Sequence, residues 1–210
     1  MVKAAIIGCG KIAQVRHIPE YLEHQAVNLV GFYDLNEKRA EELAEKYGGK
    51  AYGSVEELLA DPQIDAVSIC TANHTHAELT IKALKAGKHV LCEKPMAITL
   101  EECQRMVECA EENHRKLLIG QNQRLTRTHQ MARKLIADGE IGNVLSFQTS
   151  FQHSGPESWS VDAGKNTWFF QKKAAAMGVM GDLGIHKTDL IQYLLDDQIV
   201  EVTAEFSTLD

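Results

Sequence analysis

Apolar and polar positions follow two rhythms along this chain. Lys3 to Gly8, Val27 to Tyr33, Ala66 to Cys70, His89 to Cys92 and Lys116 to Ile119 are short, nearly continuous apolar runs, and each reads as a buried strand. Helical spacing fills the intervals. A helix is predicted from Lys11, and Pro19 should end or kink it. Asn36 caps a helix running to Tyr47, which Gly48 and Gly49 stop. Ser54-Val-Glu-Glu57 and Thr99-Leu-Glu-Glu102 have the form of capping boxes. A further helix runs from Thr75 to Ala86, with Gly87 just past its C-cap. Strands with no polar face, alternating with helices, predict an α/β fold whose parallel sheet is covered on both sides, a doubly wound arrangement.

The rhythm changes after Gly120. A helix from Thr128 to Ala137 leads to a longer, more polar strand-like run, Val144 to Phe151. A loop rich in Ser, Gly and Asn follows from His153 to Lys172, and loops of that length inside a compact protein are usually functional or disordered. Then come a helix from Gly181 to Leu195 and a strand-like run from Ile199 to Phe206. Two strands are too few for a stable sheet, so a second domain is expected to begin here and remain unfinished. A chain ending at Asp210 is accordingly expected to be poorly soluble or to lack turnover.

Composition narrows the function classes. Across 210 residues the formal net charge is −7, which argues against a sequence-independent nucleic-acid binder, since that needs a basic stripe. No apolar run approaches the length of a membrane span, and the N-terminal run is too short for a signal peptide, so a cytoplasmic location without membrane partners is expected. The five cysteines include no pair with zinc-type C-x2-C spacing and read as small buried apolar groups; no metal site is expected.

Four motifs carry chemistry. Gly8-Cys-Gly10-Lys-Ile-Ala13 fits the dinucleotide fingerprint because it follows a buried strand and opens a helix. Gly8 permits the turn, Gly10 leaves room for a pyrophosphate, and the N–H groups of Lys11 and Ile12 are offered at the helix start. Asp34, at the end of the second strand, can accept from both adenosine ribose hydroxyls. A 2′-phosphate would meet like charge there and Leu35 offers no cation, so NAD is favoured over NADP. Thr71-Ala-Asn73-His-Thr-His76 follows another strand at the ligand-binding edge; Thr71, Asn73 and His76 border the cofactor, although cap or helix-start roles fit Asn73 and His76 equally. Glu93 and Lys94 lie at the end of the next strand, where a partly desolvated lysine suits proton transfer, although spacing alone reads Lys94 as a surface lysine. In Gly181-Asp182-Leu-Gly-Ile-His186, positions i and i+4 of a helix share a face, so Asp182 can orient the His186 imidazole as a base; a helix-start Asp and a packed His are as well supported.

Taken in order, Ala5 to Ala13, Thr71 to His76, Ala86 to Pro95 and Gly181 to His186 resemble the Gfo/Idh/MocA family, named for glucose–fructose oxidoreductase, inositol dehydrogenase and a rhizopine catabolism protein. The resemblance implies a Rossmann domain over 1–122 and, over 123–210, the start of an α/β domain with a largely antiparallel open sheet. It implies an NAD-dependent dehydrogenase acting on a secondary alcohol of a sugar or polyol, working as a homodimer or homotetramer. Lys94, Asp182 and His186 then occupy catalytic positions, with His186 as acid/base, Lys94 on the reacting oxygen and Asp182 orienting substrate. Asn122 and Arg124 fall at the cofactor–substrate border, and Trp168 near the nicotinamide. A family glycine run is replaced here by Ala176-Met177-Gly178. A non-catalytic NAD(P)-sensing regulator and an NAD-dependent glycoside hydrolase are alternatives on the same fold.

Overall fold

The computed structural model describes residues 1–161 and 167–207. They form two compact units, Met1–Gly120 with Gln152–Asp182, and Gln121–Phe151 with Leu183–Asp210.

The first unit holds a six-stranded, wholly parallel sheet. Its strands are β1 (Val2–Ile7), β2 (Val27–Tyr33), β3 (Lys50–Ala51), β4 (Ala66–Ile69), β5 (His89–Cys92) and β6 (Leu117–Ile119), in the order β3-β2-β1-β4-β5-β6. The order reverses at β1, so the loops after β1 and β4 diverge there and leave the crevice in which such sheets bind ligands. Side chains alternate between two apolar layers. Ala5 and Ile7 of β1 join Leu58, Leu84 and Met106 on one face, and Ile6 joins Ile18, Phe32 and Leu43 on the other.

The helices are α1 (Ile18–Glu23), α2 (Glu37–Tyr47), α3 (Val55–Ala60), α4 (His76–Lys85) and α5 (Leu100–Glu112), with the short α7 (Lys172–Ala175) returning later in the chain. Their ends follow the local chemistry. Asn36 accepts from Arg39 N–H, Ser54 from Glu57 N–H, and Thr99 and Glu102 form a full capping box. Glu57 instead reaches one residue further back, to Gly53 N–H. Gly87, at φ +77°, closes α4 with Lys88 N–H donating to the Ala83 carbonyl.

Pro19 does not stop its helix. The turn before it, Ala13–His17, widens to a π-turn in which Ile18 N–H donates to the Ala13 carbonyl, five residues back, and α1 continues through the proline. The two-residue β3, paired with Gly31 and Phe32, went unanticipated because so short a run carries no periodicity.

In the second unit α6 (Arg127–Ala137) packs along α8 (Ile185–Leu195). Asp189 takes a two-pronged contact from Arg124, and Tyr193 has the guanidinium groups of Arg124 and Arg133 over its ring at 5.5 and 4.6 Å. The expected antiparallel sheet is corrected here. Among the described residues neither 144–151 nor 199–206 forms a ladder, and the one sheet is parallel. A strand is held by its partners, and these two stretches do not pair; Leu145 and Val200 point almost wholly into solvent.

Candidate functional site

The glycine turn is built around close contacts. Gly8 sits at φ +93°, and a Cβ there would come within 2.8 Å of the Cys70 carbonyl and the Thr71 side chain. At Gly10 no atom lies within 4 Å of the Cβ position, so the space before the turn is open, as a pyrophosphate requires. Lys11 and Ile12 begin the helix, and the N–H groups of a first helical turn have no acceptors within the helix. Asp34 is tied to this turn. Its Oδ2 accepts from Cys9 N–H at 2.7 Å and its Oδ1 from Asn36 N–H at 2.8 Å. Arg39, one turn into α2, places its guanidinium 3.3 Å from Oδ1. The cation sought at the exposed Leu35 is therefore supplied four residues later. An ionised carboxylate offers about four acceptor sites, so Asp34 keeps capacity for a ribose hydroxyl.

The loop after β4 is braced internally. Asn73 is buried and its side-chain amide donates to the Ala175 carbonyl at 3.1 Å, fastening α7 to this edge. His76 is buried, with Nδ1 at 2.7 Å from the Pro95 carbonyl and Nε2 at 3.1 Å from that of Thr71. Both ring nitrogens face main-chain oxygens, and burial depresses the imidazole pKa below its ordinary value. Its geometry is that of a strut between two loops. The Thr71 hydroxyl meets that of Thr75 at 2.6 Å.

At the end of β5, Lys94 precedes a cis peptide bond to Pro95. Its Nζ donates to the Asp182 main-chain carbonyl at 2.7 Å and to Oδ1 of the same residue at 3.2 Å. The other carboxylate oxygen of Asp182 lies 3.2 Å from Nε2 of His153. The sequence does not single out His153, because 29 residues separate it from its partner and no motif spacing links the two. Gly155 N–H donates to His153 Nδ1 at 3.0 Å. That leaves the proton on Nε2, directed at the carboxylate. Asp182 thus holds a lysine on one oxygen and a histidine on the other.

Asp182 lies in a second π-turn, Met180–Gly184, so the i, i+4 argument for a regular helix does not carry across it. His186 is in the first turn of α8, buried in the second unit, with its ring edge-on to Phe151 at 5.7 Å. Asn122 is in a 3-10 turn of that unit, and Arg124 is committed to Asp189. Trp168 stacks on Phe169 with ring centroids 4.0 Å apart. Part of the loop beginning at His153, residues 162–166, lies outside the described residues. Cys9 and Cys92 are buried, which pushes each thiol up to about 12. Among the described residues no helix is long and apolar enough to cross a membrane, and no three His, Cys, Asp or Glu converge as a metal site.

Comparison with known proteins decides the family. A model described as an oxidoreductase family with an NAD-binding Rossmann fold, GFO_IDH_MocA, matches residues 2–121. The chain belongs to the Gfo/Idh/MocA family. The C-terminal domain model of the same family matches residues 129–210. The glucose-6-phosphate 3-dehydrogenase of Bacillus subtilis is 34% identical over 99% of this chain and 58% of its own length. The myo-inositol 2-dehydrogenase of Thermotoga maritima is 31% identical over 99% of this chain and 59% of its own. Among solved structures, an aldose-aldose oxidoreductase from Caulobacter crescentus superposes with a TM-score of 0.81 at 28% identity, over 93% of this chain and 58% of that one. A 3-ketoreductase from Actinomadura kijaniata, solved with NADP, gives 0.83 at 25% identity, over 92% and 57%. This Gfo/Idh/MocA chain spans about half the length of the curated relatives it matches.

Proposed function

We propose that this chain supplies the dinucleotide site and catalytic groups of an NAD-dependent dehydrogenase that oxidises a secondary alcohol of a sugar or polyol. The observation that carries the reading is the contact of Lys94 with Asp182, itself bonded to His153. An ammonium group has three donors and Asp182 takes two, so Lys94 keeps one for a substrate oxygen. In alcohol oxidation a hydride leaves carbon while a proton leaves oxygen. The nicotinamide, when bound, supplies the hydride acceptor. Lys94 stabilises the negative charge that grows on the oxygen, Asp182 holds Lys94 and His153 in place, and His186 takes the proton.

Gly8, Gly10, Lys11, Ile12 and Asp34 hold the cofactor on this reading, with Thr71, Glu93, Asn122 and Trp168 lining it. Asn73 and His76, whose polar groups are taken by main-chain carbonyls, shape the loop instead. NAD rather than NADP is the preferred cofactor, because Arg39 is engaged by Asp34 and a 2′-phosphate would have to displace that carboxylate. Residues 1–122 form the dinucleotide domain, and 123–210 belong to the substrate and oligomer domain of a homodimer or homotetramer. The purified protein, supplied with NAD and a panel of polyols, sugars and sugar phosphates, should raise the nicotinamide absorbance with at least one of them. NADH binding without oxidation of any panel member would instead mark a sensor and overturn the reading.

A further inference from the structure

One buried polar network is not used by the mechanism above. His17, in the π-turn after the glycine motif, is buried and places Nε2 2.8 Å from Oε1 of Glu93. Its other nitrogen lies 3.2 Å from Oγ of Ser68 on β4, which is 2.5 Å from the Tyr21 hydroxyl. The second oxygen of Glu93 accepts from Lys94 N–H at 3.2 Å. An ionised carboxylate only accepts, so Nε2 of His17 donates to Glu93. Tyr21, Ser68, His17 and Glu93 thus form one continuous hydrogen-bonded chain, and Lys94 N–H closes on the far oxygen. Gly120 makes room for this, because a Cβ there would lie 3.1–3.2 Å from the Glu93 carboxyl atoms.

We propose that His17 is a positioning residue for Lys94: by fixing the Glu93 carboxylate it holds the main chain of the Glu93–Lys94–Pro95 turn in the geometry that brings the lysine to Asp182. The proposal rests on the reading of Lys94 as a catalytic group. Stability alone is a weak reason for such a contact, because replacing both partners of a buried hydrogen bond by apolar groups of the same shape can be nearly neutral. The placement is more specific than a packing role requires. Glu93 adjoins Lys94 in the chain, and one carboxylate oxygen faces His17 while the other faces the Lys94 main chain. Without the His17 donor, the carboxylate is free to rotate or take a proton, and the Lys94 N–H loses its acceptor.

Amide hydrogen exchange reads this directly in the protein without cofactor. In His17→Leu the Lys94 N–H should exchange about tenfold faster or more, while the ladder amides of β1 and β4 stay within about twofold. His17→Gln, whose amide can reach Glu93 from a similar position, should restore protection to within about threefold. In turnover assays His17→Leu should lower kcat by about tenfold or more and leave NADH affinity within about twofold. Unchanged Lys94 exchange would overturn the proposal. So would acceleration by the same factor across β1 and β4, since that reports global destabilisation. Should His17→Leu fail to fold, His17→Ala, which likewise removes the donor to Glu93, must give the same selective loss at Lys94, and its absence overturns the proposal equally. Failure of the wild-type protein to oxidise any alcohol would remove the dehydrogenase reading while leaving the exchange result to stand or fall by itself.

Discussion

Lys94 Nζ donates to both the main-chain carbonyl and the carboxylate of Asp182, at 2.7 and 3.2 Å. A lysine held twice by one residue is fixed in direction. Lys94→Ala should therefore lower kcat/KM by roughly a hundredfold or more, while NADH still binds within a few-fold of wild type. Fluorescence titration alongside steady-state rates checks both halves, and near-normal turnover would remove Lys94 from the site.

His153 gives Asp182 its second partner, with its tautomer set by Gly155 N–H. His153→Ala should lower kcat/KM by about ten- to a hundredfold, and His153→Gln, which keeps a donor of similar reach, should recover most of the loss. Equal kinetics for the two variants would mean that the donor toward Asp182 is irrelevant.

On the proposed reading, the Asp34–Arg39 pair sets the preference for NAD over NADP. Replacing the carboxylate in Asp34→Ser removes like charge from the place a 2′-phosphate would take, beside the Arg39 guanidinium. NADPH should then bind about tenfold tighter relative to NADH than in wild type. An unchanged ratio in paired titrations would refute this role.

Ala176 sits at φ +56°, ψ −65°, with Met177 N–H donating to the Ala175 carbonyl at 2.7 Å. That is a γ-turn with positive φ, a strained conformation for a residue with a Cβ. Ala176→Gly should stabilise the protein by about 1 kcal/mol in urea unfolding, and a loss of stability would contradict the strain.

Burial lowers the pKa of His76 in the folded protein below its ordinary 6.5. Between those two values the unfolded chain binds more protons than the folded one. Stability is therefore complete above pH 6.5 and is lost as pH falls from there toward the folded value. Denaturant unfolding across this window should show a pH slope that His76→Gln reduces. An identical slope in the variant would assign it to other groups.

Much of the first unit was legible because its signals are local. Five apolar runs became strands, and Asn36, Ser54, Thr99 and Gly87 bound helix ends where their side chains or φ preference dictate. The rest depends on contacts between distant parts of the chain. Arg39 reaches Asp34 only because α2 turns back over the end of β2, and His153 reaches Asp182 across a loop without regular periodicity. The runs 144–151 and 199–206 have strand-like composition, but composition supplies no partner to pair with.

The π-turn at Ala13–His17 gives the helix one more residue than a regular turn would hold. The open side at Gly10 lies ahead of it, while His17 at its end reaches Ser68 and Glu93 and Tyr21 beyond it reaches Ser68. The helix therefore works as a phase shifter, with the two functions separated by residue count rather than by residue type. Deleting one residue within Gln14–Arg16 would keep every motif letter, yet swing His17 about 100° around the helix axis and disconnect it from Glu93.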